Sequence, residues 1–338
     1  MIPKIRVAVV RSCEMQCIYC PRTPVINMEN YDGAEKYCMT IDELIGILLE
    51  MQKYGLQDVH LTGGEPLHRG DLATLISCLT AKGFKVELNT NGVGLTKNRI
   101  LKIKEAGVKF LKISLDAPNR ELFFAFTGLD AFERVIQGIE TALTIMPVRL
   151  NCVVMRSNLG SIIPLLKLCN DLGVQEIHLL DLTYYPGAGE KTFWEREFVY
   201  LTQELKPIIE AEYSQQFELL PIYGCRFYRL QIKSQGTAVI LKEAQPTMRI
   251  PACADCQEYC HEGVFTLRLS AGGYLNFCPG NNNNGINALT LYRNGTLGDV
   301  MSKLSQIFEQ AGPVDSFQQF LDQNSLNFPG GQDENMLS

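Results

Sequence analysis

The 338-residue sequence has few of the features that mark membrane, secreted or nucleic-acid-binding proteins. No apolar run reaches the roughly 18 residues that a membrane span requires. The first residues, MIPKIRVAVVRS, show neither the apolar core nor the cleavage site of a signal peptide. Positive charge is also scarce, since the net charge is −6 at pH 7, which argues against a broad electrostatic grip on nucleic acid. We therefore expect a cytoplasmic protein without membrane or nucleic-acid partners.

Cysteine, in contrast, is abundant. The chain has 12 cysteines, and in the cytoplasm these are metal ligands, core residues or catalysts more often than disulfides. Five of them lie in or near apolar stretches and are predicted mainly to pack in the core: Cys38, Cys78, Cys152, Cys169 and Cys225. The other seven form two groups, one near each end of the chain.

The first group is the stretch CEMQCIYC, which carries Cys13, Cys17 and Cys20. Disulfides within so short a loop would remove little entropy from the unfolded chain. Three thiolates on one loop suit a metal centre better. They can hold three irons of a four-iron cluster and leave the fourth iron open. The alternative is a zinc loop with a distant fourth ligand.

The first two thirds of the chain alternate between short apolar runs and helical patterns. Strands are predicted at residues 5–10, 58–62, 85–90, 110–115, 148–154 and 176–182. Helices are predicted from the Thr40–Glu43 capping box to about residue 54, and near residues 71–82, 96–106, 130–145, 159–172 and 194–213. Six βα units imply a parallel sheet with right-handed crossovers. Because eight units close a full barrel, six predict an incomplete barrel that is open on one side.

The pattern changes after residue 215. Short strands without intervening helices are predicted at residues 227–232, 236–241, 265–270 and 274–278, followed by a helix near residues 297–311. We therefore predict an α/β protein with a barrel over residues 1–215, a small antiparallel appendage over residues 216–312 and a tail over residues 313–338.

The stretch TGGEP, residues 62–66, follows the second predicted strand. It is therefore expected on the same carboxyl face of the sheet as the cysteine loop, where barrel folds keep their chemistry. Gly63 and Gly64 expose backbone amides and carbonyls, and Glu65 adds a carboxylate. Together these groups suit the ammonium group of an amino acid.

The cysteine triplet, the GGEP turn and the six βα units together resemble the radical S-adenosylmethionine (SAM) enzymes over residues 5–215. The resemblance implies that the open iron chelates the methionine part of SAM. An electron from an external donor, passed through the cluster, then yields a 5′-deoxyadenosyl radical that abstracts hydrogen from a substrate.

The same resemblance implies further SAM contacts along the carboxyl edge of the barrel. They comprise the aromatic residue between the last two cysteines, expected near the adenine, and polar residues of strands three to five. Each of these polar residues alone would fit a capping or turn role. The residues are Tyr19, Thr90, Asn91, Ser114, Arg149 and Asn151.

The second cysteine group consists of Cys253, Cys256 and Cys260 in CADCQEYC, followed by Cys278. Four thiolates fill either a four-iron cluster or a tetrahedral zinc site. Beside a radical SAM barrel, we expect a second, auxiliary [4Fe–4S] cluster. The order of motifs here resembles the GTP 3′,8-cyclases of molybdenum-cofactor biosynthesis along nearly the full chain.

Several departures from that cyclase family bear on the substrate. The family has three auxiliary cysteines, whereas Cys260 adds a fourth. Its paired arginines are reduced to Arg268, with Thr266 at the other position. Its terminal Gly-Gly pair is displaced, because seven residues follow Gly330 and Gly331.

We therefore predict a lyase-type radical SAM enzyme that matures a ribosomally synthesised peptide, for example by excising a tyrosine-derived fragment. A small partner protein is expected to help recognise the peptide. The alternatives are a divergent GTP 3′,8-cyclase and, outside enzymes, an iron–sulfur redox-sensing module.

Overall fold

The computed structural model describes residues 4–20, 39–183, 191–222, 225–232, 236–243, 248–249, 266–276, 285–309 and 312–313. The second cysteine group, with Cys253, Cys256, Cys260 and Cys278, lies outside the described residues, and so do Gly330 and Gly331. The auxiliary cluster therefore stays a prediction.

The strands are β1 (Lys4–Ala8), β2 (Asp58–Thr62), β3 (Lys85–Thr90), β4 (Leu111–Ser114), β5 (Val148–Val153), β6 (Glu176–Leu180), β7 (Glu218–Ile222), β8 (Cys225–Gln231), β9 (Ala238–Lys242), β10 (Met248–Arg249), β11 (Thr266–Leu269), β12 (Tyr274–Asn276), β13 (Gly285–Asn287) and β14 (Gly312–Pro313). The helices are α1 (Ile41–Gln52), α2 (Leu72–Ala81), α3 (Lys97–Glu105), α4 (Arg120–Thr127), α5 (Phe132–Leu143), α6 (Ile162–Asp171), α7 (Lys191–Glu197), α8 (Lys206–Tyr213), α9 (Ala288–Arg293) and α10 (Leu297–Glu309).

Strands β1 to β6 form a parallel sheet in chain order, which confirms the predicted βα repeat. In β1 and β2 the residues alternate: the side chains of Ile5, Val7, Val59 and Leu61 are fully buried, whereas those between them are partly exposed. The fully buried set packs in the hydrophobic core, and the alternate set lies on the opposite face of the sheet. Polar residues of the strands thus share one face, and the carboxyl ends share one edge.

Local sequence determines where the first helix begins. Thr40 Oγ1 accepts a hydrogen bond from Glu43 N at 3.2 Å, and Glu43 Oε2 accepts one from Thr40 N at 2.9 Å. This is the predicted capping box, which satisfies two backbone donors at the helix start. The apolar face of α1 is then buried against the sheet.

Helix α4 was not predicted, and it matters for the site. Asn119 accepts a hydrogen bond from Leu122 N at 3.0 Å and caps the helix. Gly128 ends it in the left-handed conformation at φ 67°. These start and stop signals stand in the sequence. Only eight residues lie between them, so the periodic pattern is too short to predict a helix.

One further prediction needs correction. The helix predicted over residues 194–213 is interrupted, with α7 and α8 separated by residues 198–200 and a π-helical turn at Leu201–Leu205.

The antiparallel strands predicted after residue 215 are confirmed, because β8 pairs antiparallel with β7 and β9, and β12 pairs antiparallel with β11 and β13. These antiparallel hairpins also join the parallel sheet, since β9 pairs in parallel with β6 and β11 pairs in parallel with β1.

The hairpins thereby cover both edges of the six-stranded sheet. The described strands give the order β13-β12-β11-β1-β2-β3-β4-β5-β6-β9-β8-β7. An open parallel sheet leaves unpaired N–H and C=O groups at its edges, and strands from elsewhere in the chain satisfy them here. Across the described ranges, none of the helices is both long and apolar enough to cross a membrane.

Candidate active site at the carboxyl edge of the sheet

The cysteine loop follows β1 and is held by the end of α4. Gln16 N donates a hydrogen bond to Thr127 O at 2.7 Å, and Ile18 N donates one to Phe126 O at 2.9 Å. The last carbonyls of a helix have no partner within the helix, and here the cysteine loop supplies one. The unpredicted helix α4 therefore fixes the position of Cys17 between these two anchors.

The three thiols of this loop are reduced and accessible to different degrees. Cys13 and Cys20 are exposed, whereas Cys17 is half-buried. Burial raises the pKa of Cys17 to about 12, and the charge of Asp116 acts in the same direction. A thiol with so high a pKa is a poor free nucleophile, but coordination to a metal deprotonates it. Asn91 Nδ2 also points at Cys13 Sγ at 3.7 Å, as a donor suited to a sulfur ligand.

This donor set fits an iron–sulfur cluster. In the described part of the chain, no three His, Cys, Asp or Glu side chains converge on a single metal ion. A cubane does not require such convergence, because each thiolate binds its own iron. Three accessible sulfurs on one anchored loop therefore suit three corners of a cubane.

The GGEP turn runs directly against the backbone of the cysteine loop. Gly64 N donates a hydrogen bond to Val10 O at 2.9 Å, and Glu65 N donates one to Ser12 O at 2.8 Å. A Cβ added at Gly64 would lie 2.2 Å from both Arg11 O and Ser12 O. Gly63 has φ 141°, where residues with a side chain are strained. The two glycines are thus required for the close approach of these loops.

Glu65 connects this turn to the end of β3. Its carboxylate is 1 % exposed and accepts hydrogen bonds from Leu67 N at 3.0 Å, Thr90 Oγ1 at 2.6 Å and Asn91 N at 2.6 Å. Burial raises the pKa of Glu65, and these three donors oppose that rise. The sequence suggested a carboxylate that receives an ammonium group. The structure places Glu65 first as a link that holds Thr90 and Asn91 beside Cys13.

The remaining predicted SAM contacts lie at two different depths below the carboxyl edge of the sheet. Ser114 and Asn151 are paired neighbours on β4 and β5, near the carboxyl ends of those strands. Arg149 lies one pleat deeper, where its Nε is 3.1 Å from Glu176 Oε1 and its guanidinium lies 3.7 Å from the centre of the Phe110 ring. Arg149 is therefore engaged by Glu176 and Phe110 and is not part of the carboxyl-edge group.

Tyr19 is held by a buried carboxylate that sequence reasoning missed. Its hydroxyl donates to Asp116 Oδ2 at 2.7 Å, and Val153 N donates to Asp116 Oδ1 at 2.8 Å. Asp116 is 4 % exposed, and burial raises its pKa to about 6. The available signal was an aspartate two residues after β4, in ISLDA, near the edge of the sheet where polar residues of parallel strands collect.

On the polar face of the sheet below the carboxyl edge, several cationic side chains lie close together. Glu87 pairs with Lys112 and with His60, and Glu176 pairs with Arg149 and with His178. Burial and the nearby charges of Lys112, Lys4 and Arg6 lower the pKa of Lys242 well below its ordinary value. We call the following five side chains the cationic interior: Lys4, Arg6, Lys112, Arg149 and Lys242.

His178 lies among these groups. It is 5 % exposed, its Nε2 contacts Glu176, and its Nδ1 has no hydrogen-bond partner among the described residues. Burial lowers the pKa of His178 to about 4, and the charge of Lys242 adds to this effect. The imidazole is therefore neutral near pH 7.

Comparisons with known proteins identify the family. Residues 7–169 match the model of the radical SAM superfamily. A "Probable GTP 3′,8-cyclase" of Saccharolobus solfataricus is 30 % identical over 303 residues, covering 89 % of this chain and 90 % of that protein. The chain belongs to the radical SAM superfamily. A second "Probable GTP 3′,8-cyclase", from Sulfurisphaera tokodaii, is 30 % identical over 281 residues, covering 82 % of this chain and 81 % of that protein.

Solved structures support the radical SAM fold. SuiB of Streptococcus suis, bound to S-adenosylmethionine, aligns with a TM-score of 0.61 at 14 % identity, covering 89 % of this chain and 68 % of that one. SuiB has also been solved with its precursor peptide SuiA. The enzyme anSMEcpe with bound AdoMet aligns with a TM-score of 0.51 at 14 % identity, covering 82 % of this chain and 74 % of that one. Membership of the superfamily implies one [4Fe–4S] cluster and SAM.

Proposed function

We propose that this protein is an enzyme that reductively cleaves SAM and abstracts a hydrogen atom from a substrate lying against the polar face of the sheet. The [4Fe–4S] cluster and SAM supply the 5′-deoxyadenosyl radical when they are bound. The observation that carries this proposal is the hydrogen-bonded chain from Cys13 through Asn91 to Thr90 and Glu65. A redox sensor needs the cysteines but has no use for a built polar edge beside them.

In this proposal the chain's own residues have separate tasks. Cys13, Cys17 and Cys20 ligate the cluster. The backbone of Gly63 and Gly64 and the polar groups of Thr90 and Asn91 hold the methionine part of SAM. Tyr19, Ser114 and Asn151 lie where the nucleoside part is expected.

The direct test is release of 5′-deoxyadenosine by the anaerobically reconstituted protein with SAM and a strong reductant. We expect release, slow without substrate, and none from the Cys13→Ala/Cys17→Ala/Cys20→Ala variant. If the loaded protein never cleaves SAM, the redox-sensing alternative is favoured.

An auxiliary [4Fe–4S] cluster on Cys253, Cys256, Cys260 and Cys278 is part of the proposal. We expect about eight irons per chain, four from each cluster. The triple cysteine variant of the first group should retain about half of this iron. Zinc bound to the second cysteine group would contradict the auxiliary cluster and would assign these cysteines a structural role.

The substrate proposed from the sequence is a ribosomally synthesised peptide, recognised with a small partner protein and acted on with an external electron donor. Cys260 and the single Arg268 motivate it. SuiB, which has the same fold, binds a precursor peptide, so the fold is compatible with peptide substrates.

The second candidate is a divergent GTP 3′,8-cyclase, and a specific observation favours it. The sequence retains only Arg268 of the family's paired arginines, yet burial and the nearby charges of Lys112, Lys4 and Arg6 lower the pKa of Lys242 in the cationic interior. Relatives that are 30 % identical over 89 % of the chain carry the cyclase name. We infer that the substrate carries an anionic group, which a nucleotide has and which an acidic peptide also supplies.

Deuterium transfer separates the two substrates. GTP deuterated at the ribose 3′ carbon is incubated with SAM and reductant, and the label in 5′-deoxyadenosine is measured by mass spectrometry. Transfer well above background would favour the cyclase and exclude the peptide as sole substrate. Release of unlabelled 5′-deoxyadenosine with GTP, together with transfer from a labelled candidate peptide, would favour the maturase.

A further inference from the structure

Asp116 stands out among the buried carboxylates because it lies under the cysteine loop. It is 4 % exposed, and both of its oxygens accept hydrogen bonds, one from Tyr19 Oη at 2.7 Å and one from Val153 N at 2.8 Å. Its backbone is also held, since Asn158 Nδ2 donates to Asp116 O at 3.2 Å. The position of the carboxylate relative to the loop is therefore fixed from both sides.

Asp116 is one hydrogen bond away from the cysteine loop. Tyr19, whose hydroxyl donates to Asp116 Oδ2 at 2.7 Å, stands in the chain between Cys17 and Cys20. A buried negative charge so close to the loop disfavours any negative charge added there, because Coulomb interactions are weakly screened at buried sites. An electron accepted by a cluster on Cys17 is such a charge, and net charge around a cluster is one of the factors that set its reduction potential.

We propose that Asp116 is an electrostatic and positioning residue: it anchors the cysteine loop through Tyr19 and lowers the reduction potential of the cluster ligated by Cys13, Cys17 and Cys20. A lower potential makes the reduced cluster a stronger electron donor, which reductive cleavage of a sulfonium requires. This inference rests on the proposed function, because it assumes that the loop holds a cluster.

The test compares cluster potentials in Asp116→Asn and wild type at pH 8, where the carboxyl group is ionised. An Asn side chain can still accept from Val153 N and donate to the Tyr19 hydroxyl oxygen, so the shape of the site is kept. We expect reduction to become about tenfold more favourable in the variant, which equals about 59 mV for a one-electron couple. The potential is read from a redox titration followed by electron paramagnetic resonance, using the signal that changes when SAM is added.

Two controls and a second neutral variant separate charge from packing. Glu243→Gln neutralises another carboxylate. Glu243 follows β9, is also 4 % exposed and accepts a hydrogen bond from Thr202 N at 2.7 Å. This variant should leave the reduction potential of the cluster unchanged. Tyr19→Phe removes the hydrogen bond but keeps the charge, so it should shift the potential much less than Asp116→Asn. Asp116→Ser is a second neutral variant in case the first loads iron poorly.

The outcomes are distinct. A raised potential in Asp116→Asn and Asp116→Ser, with Glu243→Gln unchanged, supports the inference. An unchanged potential in an iron-loaded Asp116 variant contradicts it, and so does an equal shift in Tyr19→Phe. If no signal responds to SAM even in wild type, the proposed function itself fails.

Discussion

The carboxyl edge of the sheet and the cationic interior below it are both polar, yet they solve different physical problems. At the edge, one buried carboxylate, Glu65, accepts three hydrogen bonds from neighbouring elements, and two glycines bring two backbones into contact. In the interior, burial and nearby cations lower the pKa of Lys242 and Lys112, and His178 Nδ1 has no hydrogen-bond partner within the described ranges. We therefore expect the edge to be rigid and the interior to gain stability when it binds a ligand with the opposite charge.

The largest expected effect comes from breaking the contact between the GGEP turn and the cysteine loop. In Gly64→Ala, the new Cβ would lie 2.2 Å from two backbone oxygens that cannot rotate away. The loop must shift, so we expect most of the first cluster's iron to be lost and 5′-deoxyadenosine formation to fall by at least about a hundredfold, because misplaced groups lose reactivity steeply. Iron analysis and product assay measure both.

Gly70→Ala is the matched control, because a Cβ there has no neighbour within 4 Å. It should bind iron and cleave SAM like wild type. Equal behaviour of the two variants would show that the close approach at Gly64 is not required.

The second largest expected effect is on the free energy of unfolding, and it tests whether the hydrogen bonds of Glu65 stabilise the carboxyl edge. Glu65→Gln places an amide N–H against one of three buried donors, so the free energy of unfolding should fall by about 2 kcal/mol. Anaerobic urea denaturation measures the change. Asp130→Asn, which alters an exposed pair with Arg120, should shift the midpoint far less. An unchanged midpoint in Glu65→Gln would mean that the link from Glu65 to β3 does not stabilise the edge.

For the cationic interior we expect a smaller effect, which is on the affinity for an anionic ligand. Lys242→Met removes one cation near Lys112, Lys4 and Arg6, so affinity for tripolyphosphate should fall by about tenfold. Titration calorimetry with this probe measures it. Lys102→Met, on the exposed face of α3, should bind like wild type. If neither variant changes the affinity, or if wild type binds no tripolyphosphate, the interior is not an anion site.

The smallest effect is a proton taken up on binding. Burial and neighbouring cations lower the pKa of Lys242 in the free protein, and an anion beside it would raise that pKa again. Binding should therefore take up as much as about one proton, and affinity should weaken as the pH rises from the free towards the bound pKa of Lys242. Calorimetry in buffers of different ionisation enthalpy detects the proton. If proton uptake persists in Lys242→Met, another group takes up the proton.

Local patterns in the sequence were sufficient to predict the chain order of the barrel and the identity of its edge. The six βα units, the capping box at Thr40 and Glu43, and the buried Cys152 and Cys169 follow from periodicity and cap chemistry, which act between residues close in the chain. Cys13 and the GGEP turn were placed together because parallel strands end on one side.

Only the tertiary structure decided what these groups do to one another. The role of Glu65 as a link, the anchoring of the cysteine loop on α4 and the hydrogen bond between Tyr19 and Asp116 depend on contacts between residues 25 to more than 100 positions apart. The same holds for Lys242, which joins Lys4 and Lys112 only because β9 pairs with the free edge of β6. Burial and Coulomb interaction act through space, so a pattern along the chain cannot show which charges meet.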